Sequence, residues 1–276
     1  MRTTTQSPTK TSAQVTRDAE RKIAEGCSMT VVTESATTIH HDGLITDALR
    51  RTFNYHDSYD LLTVPSLKDL LTNEDHVKVL ANDVLTAVSL HHVEKLLIAS
   101  MATGCAEQVR ERIKKACPAL AKMRIKTYTL ERPRSLRLKK PLVITCMDYR
   151  LQGERGFARM MSDAFGLDEY GVVATAGAGK ELGRISTRAD MVLAQLANFV
   201  QKGLRRVIIL SHTDCGKYGG DKAFADDHAQ CASLTGDLTV AAAVLRNAFP
   251  NISVETGIIR CHGHEVTGIE PTSRHA

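Results

Sequence analysis

Cys146, Asp148 and Arg150 occupy alternate positions just after the apolar run Leu142–Thr145, and His212 and Cys215 follow a second run, Arg206–Leu210. Two thiolates and an imidazole form a donor set that suits zinc, and three protein ligands leave a fourth tetrahedral position open to water. In an extended segment, side chains spaced by two share a face, so a guanidinium fork at Arg150 can hold the Asp148 carboxylate beside such a metal. The residue types thus predict an open zinc site with Cys146, His212 and Cys215 as ligands and Asp148 and Arg150 as a working dyad.

For the two runs to converge, they must be neighbouring strands whose carboxyl ends meet, which is where ligand sites form in open α/β sheets. Continuous apolar runs of four or five residues separated by helical periodicity are the pattern of a parallel sheet buried on both faces. That pattern occurs twice. Runs at Thr30–Thr33, Leu61–Val64, Lys95–Ala99 and Arg124–Thr127 recur as Leu142–Thr145, Val172–Thr175, Arg206–Leu210 and Ile252–Glu255. The offset is 112 residues at first and then 111, pairing Val31 with Val143, Tyr59 with Tyr170 and Ile98 with Ile209. We therefore expect an α/β protein of two tandem repeats, each a mostly parallel sheet of about four strands flanked by helices, packed as an internal pseudo-dimer. The expected boundaries are a disordered lead over 1–28, a first repeat over 29–131, a basic linker over 132–140, a second repeat over 141–262 and an unstructured tail over 263–276.

The residues of the second repeat resemble the β-class carbonic anhydrases. The Cys-x-Asp-x-Arg signature of that family stands intact as Cys146, Asp148 and Arg150, and its His-x-x-Cys-Gly as His212, Cys215 and Gly216. The forms Cys-Met-Asp-x-Arg and His-Thr-Asp-Cys-Gly are most similar to the family's short branch. The likeness runs over about 141–260 and includes the turn Ala176-Gly177-Ala178-Gly179. It implies a zinc-dependent lyase that hydrates CO2 to bicarbonate with a zinc-bound hydroxide. Asp148 would accept a hydrogen bond from that hydroxide, Arg150 would keep Asp148 ionised and off the metal, and Gly177 and Gly216 would lie on the substrate side. In that family the aspartate can also bind the zinc and close the site. The same attack on a linear molecule would serve carbonyl sulfide or carbon disulfide, and a non-catalytic, zinc-stabilised binding protein is the reading from a different class.

The first repeat lacks the signature, with Glu34, Ala36, Thr38 and Met101 at the matching positions. It reads as a degenerate copy without metal, in which Cys105 is a small buried hydrophobe. Weaker features are read blandly. His91 and His92 close a helix, where a cationic ring suits the dipole; His228 is a solvated helix residue; Cys261-His262-Gly263-His264 has no standard metal spacing; Gly179-Lys180 lacks the rest of a phosphate loop. Tyr149 and the 217–237 insertion depart from the family pattern and are expected to reshape the pocket.

Composition excludes several classes. The 276 residues carry 36 basic and 31 acidic side chains for a net charge of +5, with 4% aromatics and no Trp, so no nucleic-acid partner is expected. No apolar run reaches the roughly 18 residues of a membrane span. Seven cysteines without a secretory leader point to reduced thiols and a cytoplasmic protein.

Overall fold

The computed structural model describes residues 29–34, 52, 59–100, 102–130, 140–151, 157–263 and 265–273. The expected lead over 1–28, the positions Ala36, Thr38 and Met101, the linker over 132–139 and His264 lie outside the described residues.

The chain forms two sheets. The first has the order β2-β1-β3-β4, from β1 (Met29–Glu34), β2 (Asp60–Val64), β3 (Lys95–Ser100) and β4 (Arg124–Thr129), all parallel. The second has the order β6-β5-β7-β8-β9, from β5 (Leu142–Thr145), β6 (Gly171–Ala174), β7 (Arg206–His212), β8 (Ser253–His262) and β9 (Glu265–Ser273). The first four of these repeat the parallel order of the first sheet. Strands β2, β5 and β6 are buried along their whole length, β2 and β6 because these two sheet ends lie against each other, which is why their sequences read as nearly unbroken apolar runs.

Helices cover the sheets. α1 (Glu74–His91) and α2 (Cys105–Ala116) belong to the first half, and α3 (Phe157–Phe165), α4 (Gly179–Leu182), α5 (Thr187–Gln201) and α6 (Asp227–Ala248) to the second. α1 starts where Asn73 Oδ1 accepts the backbone N–H groups of Asp75 and His76, and α5 where the Ser186 hydroxyl accepts from Ala189. α1 ends at His92, whose φ of 56° takes the left-handed turn that glycine usually supplies.

The two halves meet through matching elements. β2 lies against β6 and α1 against α5, pairs that occupy equivalent places in the two repeats. Thr63 Oγ1 accepts the Ala174 N–H at 3.0 Å and is 2.9 Å from Gln195 Oε1. Asp83 on α1 is gripped by Arg188 on α5, which also donates to Glu181 at 3.1 Å.

One expectation is corrected: most of 263–276 is not a tail. After a turn at Gly263 (φ 56°) the chain returns antiparallel along β8 as β9, seating Val266 and Ile269 against the core. Gly268 and Pro271 interrupt the alternation that would have announced a strand, and proline is tolerated because β9 is an edge.

Candidate metal centre

The carboxyl ends of β5 and β7, neighbours in the sheet, bring Cys146, His212 and Cys215 together, each buried, with their ligand atoms all within 4.8 Å of one another. This buried group could hold a metal ion. The two sulfurs stand 3.9 Å apart. Two thiolates bound tetrahedrally at about 2.3 Å from one ion would be separated by about 3.8 Å, so the spacing fits zinc.

The imidazole is oriented for the same task. His212 Nδ1 faces the Thr213 carbonyl at 2.8 Å and donates to it, which leaves the Nε2 lone pair directed into the cluster. Nε2 is buried and has no hydrogen-bond partner among the described residues. A buried nitrogen without a hydrogen-bond partner beside two thiols is a donor set that a metal ion would satisfy.

The thiols respond to each other. Cys215 beside it, and then burial, push the Cys146 thiol well up, while the bond from Cys146 draws Cys215 down against its own burial. Backbone N–H groups of Lys217 and Tyr218, in the 3-10 turn Gly216–Tyr218, support the Cys215 thiolate. Asp214, at φ 58°, makes the bend that returns Cys215 toward the strand end. The Gly177 N–H points at Cys146 Sγ, 3.5 Å away, from a turn where Gly177 has a φ of 80°.

Asp148 and Arg150 pair, though not across an extended segment as the spacing suggested. The chain turns into a 3-10 turn at Tyr149–Leu151, and the Arg150 N–H closes an Asx-type turn on Asp148 Oδ1 at 2.9 Å. The guanidinium then grips both oxygens, Nε on Oδ1 at 2.9 Å and Nη2 on Oδ2 at 2.8 Å. Burial opposes the charge on Asp148, but His212, Arg150 and His91 outweigh it and hold the carboxyl well below the usual range. Arg150 also reaches Asp214 Oδ2 and the Gly263 carbonyl.

Of the residues expected at the site, Cys146, Asp148, Arg150, His212 and Cys215 converge. Gly177 and Gly216 lie beside the ligands, where Gly177 supports Cys146 and Gly216 makes room for Leu90 on α1, whose Cδ1 would be 2.3 Å from a Cβ there. His228 is exposed in the first turn of α6 and outside the ligand group.

The structure adds residues that spacing did not reveal. His91 closes α1, as expected, but its ring turns inward. Nδ1 lies 2.8 Å from Asp60 Oδ2, and Nε2 lies 3.8 Å from Asp148 Oδ2. Tyr149 packs edge-on against the same ring at 5.6 Å, so its bulk is spent on His91. Cys261, on β8, stands 3.9 Å from His212 Nδ1. Asp60 carried a readable signal, a charge opening an otherwise apolar run; His91 carried none beyond its residue type.

No helix among the described residues is long and apolar enough to cross a membrane. Compared with known proteins, the chain matches no family model and no curated sequence.

Proposed function

We propose that the chain is a zinc-dependent carbonic anhydrase of the β class, a lyase interconverting CO2 and bicarbonate, built from two copies of one unit of which the second holds the metal. The observation that carries this reading is a buried Cys-His-Cys set whose unpaired imidazole nitrogen lies 3.8 Å from a buried carboxylate held in an arginine fork. A purely structural zinc site closes with a fourth protein ligand and has no use for a neighbouring ionised acid.

Zinc, when bound, supplies a Lewis acid that makes a deprotonated water available near neutral pH. Asp148 accepts a hydrogen bond from the attacking oxygen and turns its lone pair toward the carbon of CO2. Arg150 keeps Asp148 charged and fixes both of its oxygens, so little reorganisation remains at the moment of attack. The Thr213 carbonyl fixes the His212 tautomer, and the Gly177 N–H supports the Cys146 thiolate.

The arrangement as an internal pseudo-dimer is supported by contacts between equivalent elements. Thr63 meets Ala174, its own counterpart at an offset of 111, as residues do beside a two-fold axis.

The test is zinc content and CO2 hydration measured together on the purified chain and on Cys215→Ser. One zinc per chain, with both zinc and hydration lost in the variant, is the expected result. Zinc without hydration would move the reading to carbonyl sulfide, carbon disulfide or a binding role. A chain that takes up no zinc would overturn it.

A further inference from the structure

The first half, which supplies none of the three residues Cys146, His212 and Cys215, reaches into the site through one closed ring of contacts. The Tyr149 backbone N–H donates to the Asp60 carboxylate, which grips His91 Nδ1 with both oxygens, at 3.0 and 2.8 Å. His91 Nε2 faces Asp148 Oδ2 at 3.8 Å, and the Tyr149 ring packs against the imidazole. The Leu61 N–H bonds to the Met147 carbonyl at 3.0 Å, fixing the start of β2 against the segment that carries Asp148. A buried aspartate that spends both oxygens on one histidine sets that ring's orientation and leaves it little freedom to turn.

Asp148 Oδ2 therefore lies 3.8 Å from each of two imidazole nitrogens, His91 Nε2 and His212 Nε2. A metal at the cluster that His212 belongs to would attract the carboxylate as a fourth ligand. Against that pull act the Arg150 fork and His91. The 3.8 Å contact is a charge interaction rather than a hydrogen bond, so its role is to bias where the carboxylate rests.

We propose that His91 is a positioning residue of the metal site: clamped by Asp60, it holds Asp148 in the Arg150 fork and off the metal, so that the ligand-free half keeps the fourth coordination position open. This rests on reading Cys146, His212 and Cys215 as metal ligands, and it assigns the first repeat a task in the chemistry of the second. The charge state the role requires is supported by the surroundings. Burial disfavours the cationic ring, but Asp60 and then Asp148 outweigh it and raise His91 to about 9.

The experiment uses the full chain loaded with Co2+, whose visible absorption reports the ligands around it, titrated with azide as the probe of an open position. Wild type is expected to change its spectrum on azide addition. His91→Ala should bind azide at least tenfold more weakly, because Asp148 falls onto the metal. His91→Ala combined with Asp148→Asn should regain azide binding, and His91→Lys, which keeps a cation beside both carboxylates, should stay within a few-fold of wild type. Equal Co2+ content and unchanged far-ultraviolet circular dichroism establish that the variants fold.

Azide affinity unchanged in His91→Ala overturns the proposal, as does a loss that Asp148→Asn fails to restore. A wild type indifferent to azide also overturns it. CO2 hydration measured on zinc-loaded samples of the same proteins separates this inference from the proposed reaction. The azide pattern without hydration in wild type sinks the reaction alone, and hydration with no azide pattern sinks the role of His91 alone. A chain that binds no metal sinks both.

Discussion

The two halves share a strand order, yet each carries a different part of one site. The second holds Cys146, Asp148, Arg150, His212 and Cys215; the first holds Asp60 and His91, which reach that same site. At the offset of 111, the positions matching Asp60 and His91 are Gly171 and Lys202, so the second half does not repeat the pair any more than the first repeats the signature. If the two halves are copies facing across a pseudo-two-fold, as proposed, one site suffices for both, and each copy is free to keep just the groups that this site uses. The halves differ at their edges too. The first sheet ends at β4, a six-residue parallel strand, whereas the second continues through the ten-residue β8 into β9, whose turn at Gly263 supplies a carbonyl to Arg150. The half that holds the ligands is the half whose strand ends are tied down.

If the halves form one unit, cutting what joins them should cost more than any change inside either. Arg188 is a charged tie between them, gripping the buried Asp83 of α1 while donating to Glu181. Arg188→Ala should destabilise the chain by roughly 3–5 kcal/mol, since it leaves a buried carboxylate without its partner. Urea unfolding checks this. A loss under 1 kcal/mol would mean that the halves are held by apolar contact alone.

The pair His91 and Asp60 gives the next largest effect, read through pH. His91 is raised from 6.5 to about 9 in the folded chain, so its contribution is fully present below about pH 6.5 and is lost as pH rises through 9. Asp60, which burial pushes up to about 6 despite His91, is mostly ionised in the folded chain at the start of that window and adds little to the change above it. The stability of wild type relative to His91→Gln should therefore fall with rising pH, by on the order of 3 kcal/mol over the whole window. Unfolding midpoints of the two proteins on a pH series measure it; parallel curves would show that the ring carries no special charge.

Much of this arrangement was legible in the sequence, for identifiable reasons. Strands buried on both faces write themselves as apolar runs, which places β1, β2, β3, β5, β6 and β7, while β4, nowhere buried, is placed by its position in the repeat after Pro118, as β8 is after Pro250. The signature residues lie at strand ends, where chain direction alone brings them together. The Asp148 and Arg150 pair was expected for the wrong local reason: alternate spacing suggested a shared extended face, and an Asx-type turn makes the contact instead. β9 escaped because Gly268 and Pro271 break its alternation. His91 escaped because its role depends on packing between halves that lie more than fifty residues apart in sequence, and no local pattern encodes that. Its place at the end of α1 was read correctly as a helix terminus, but the direction of its ring is set by Asp60 and Tyr149.

The contact between Thr63 and its counterpart Ala174 can be tested with a change that preserves shape. Thr63 Oγ1 accepts from Ala174 N and bonds with Gln195 Oε1, all buried. Thr63→Val keeps the volume and strands both partners, so it should cost roughly 1–3 kcal/mol. The site itself should be spared, with metal content unchanged. A comparable loss of metal would show that the site depends on this contact more closely than its separate set of contacts implies.

The smallest expected effect concerns how closely α1 approaches the ligands. A Cβ at Gly216 would lie 2.3 Å from Leu90 Cδ1, but Leu90 is 49% exposed and the atom met is the free end of a flexible side chain. Gly216→Ala should therefore cost only about 1 kcal/mol, by turning Leu90 outward. Leu90→Ala in the same chain should remove that cost. Urea unfolding of the single and double variants gives the coupling between the positions, expected near the full cost of Gly216→Ala. A coupling near zero would mean that the glycine is needed for the turn after Cys215 and that α1 only happens to pass beside it.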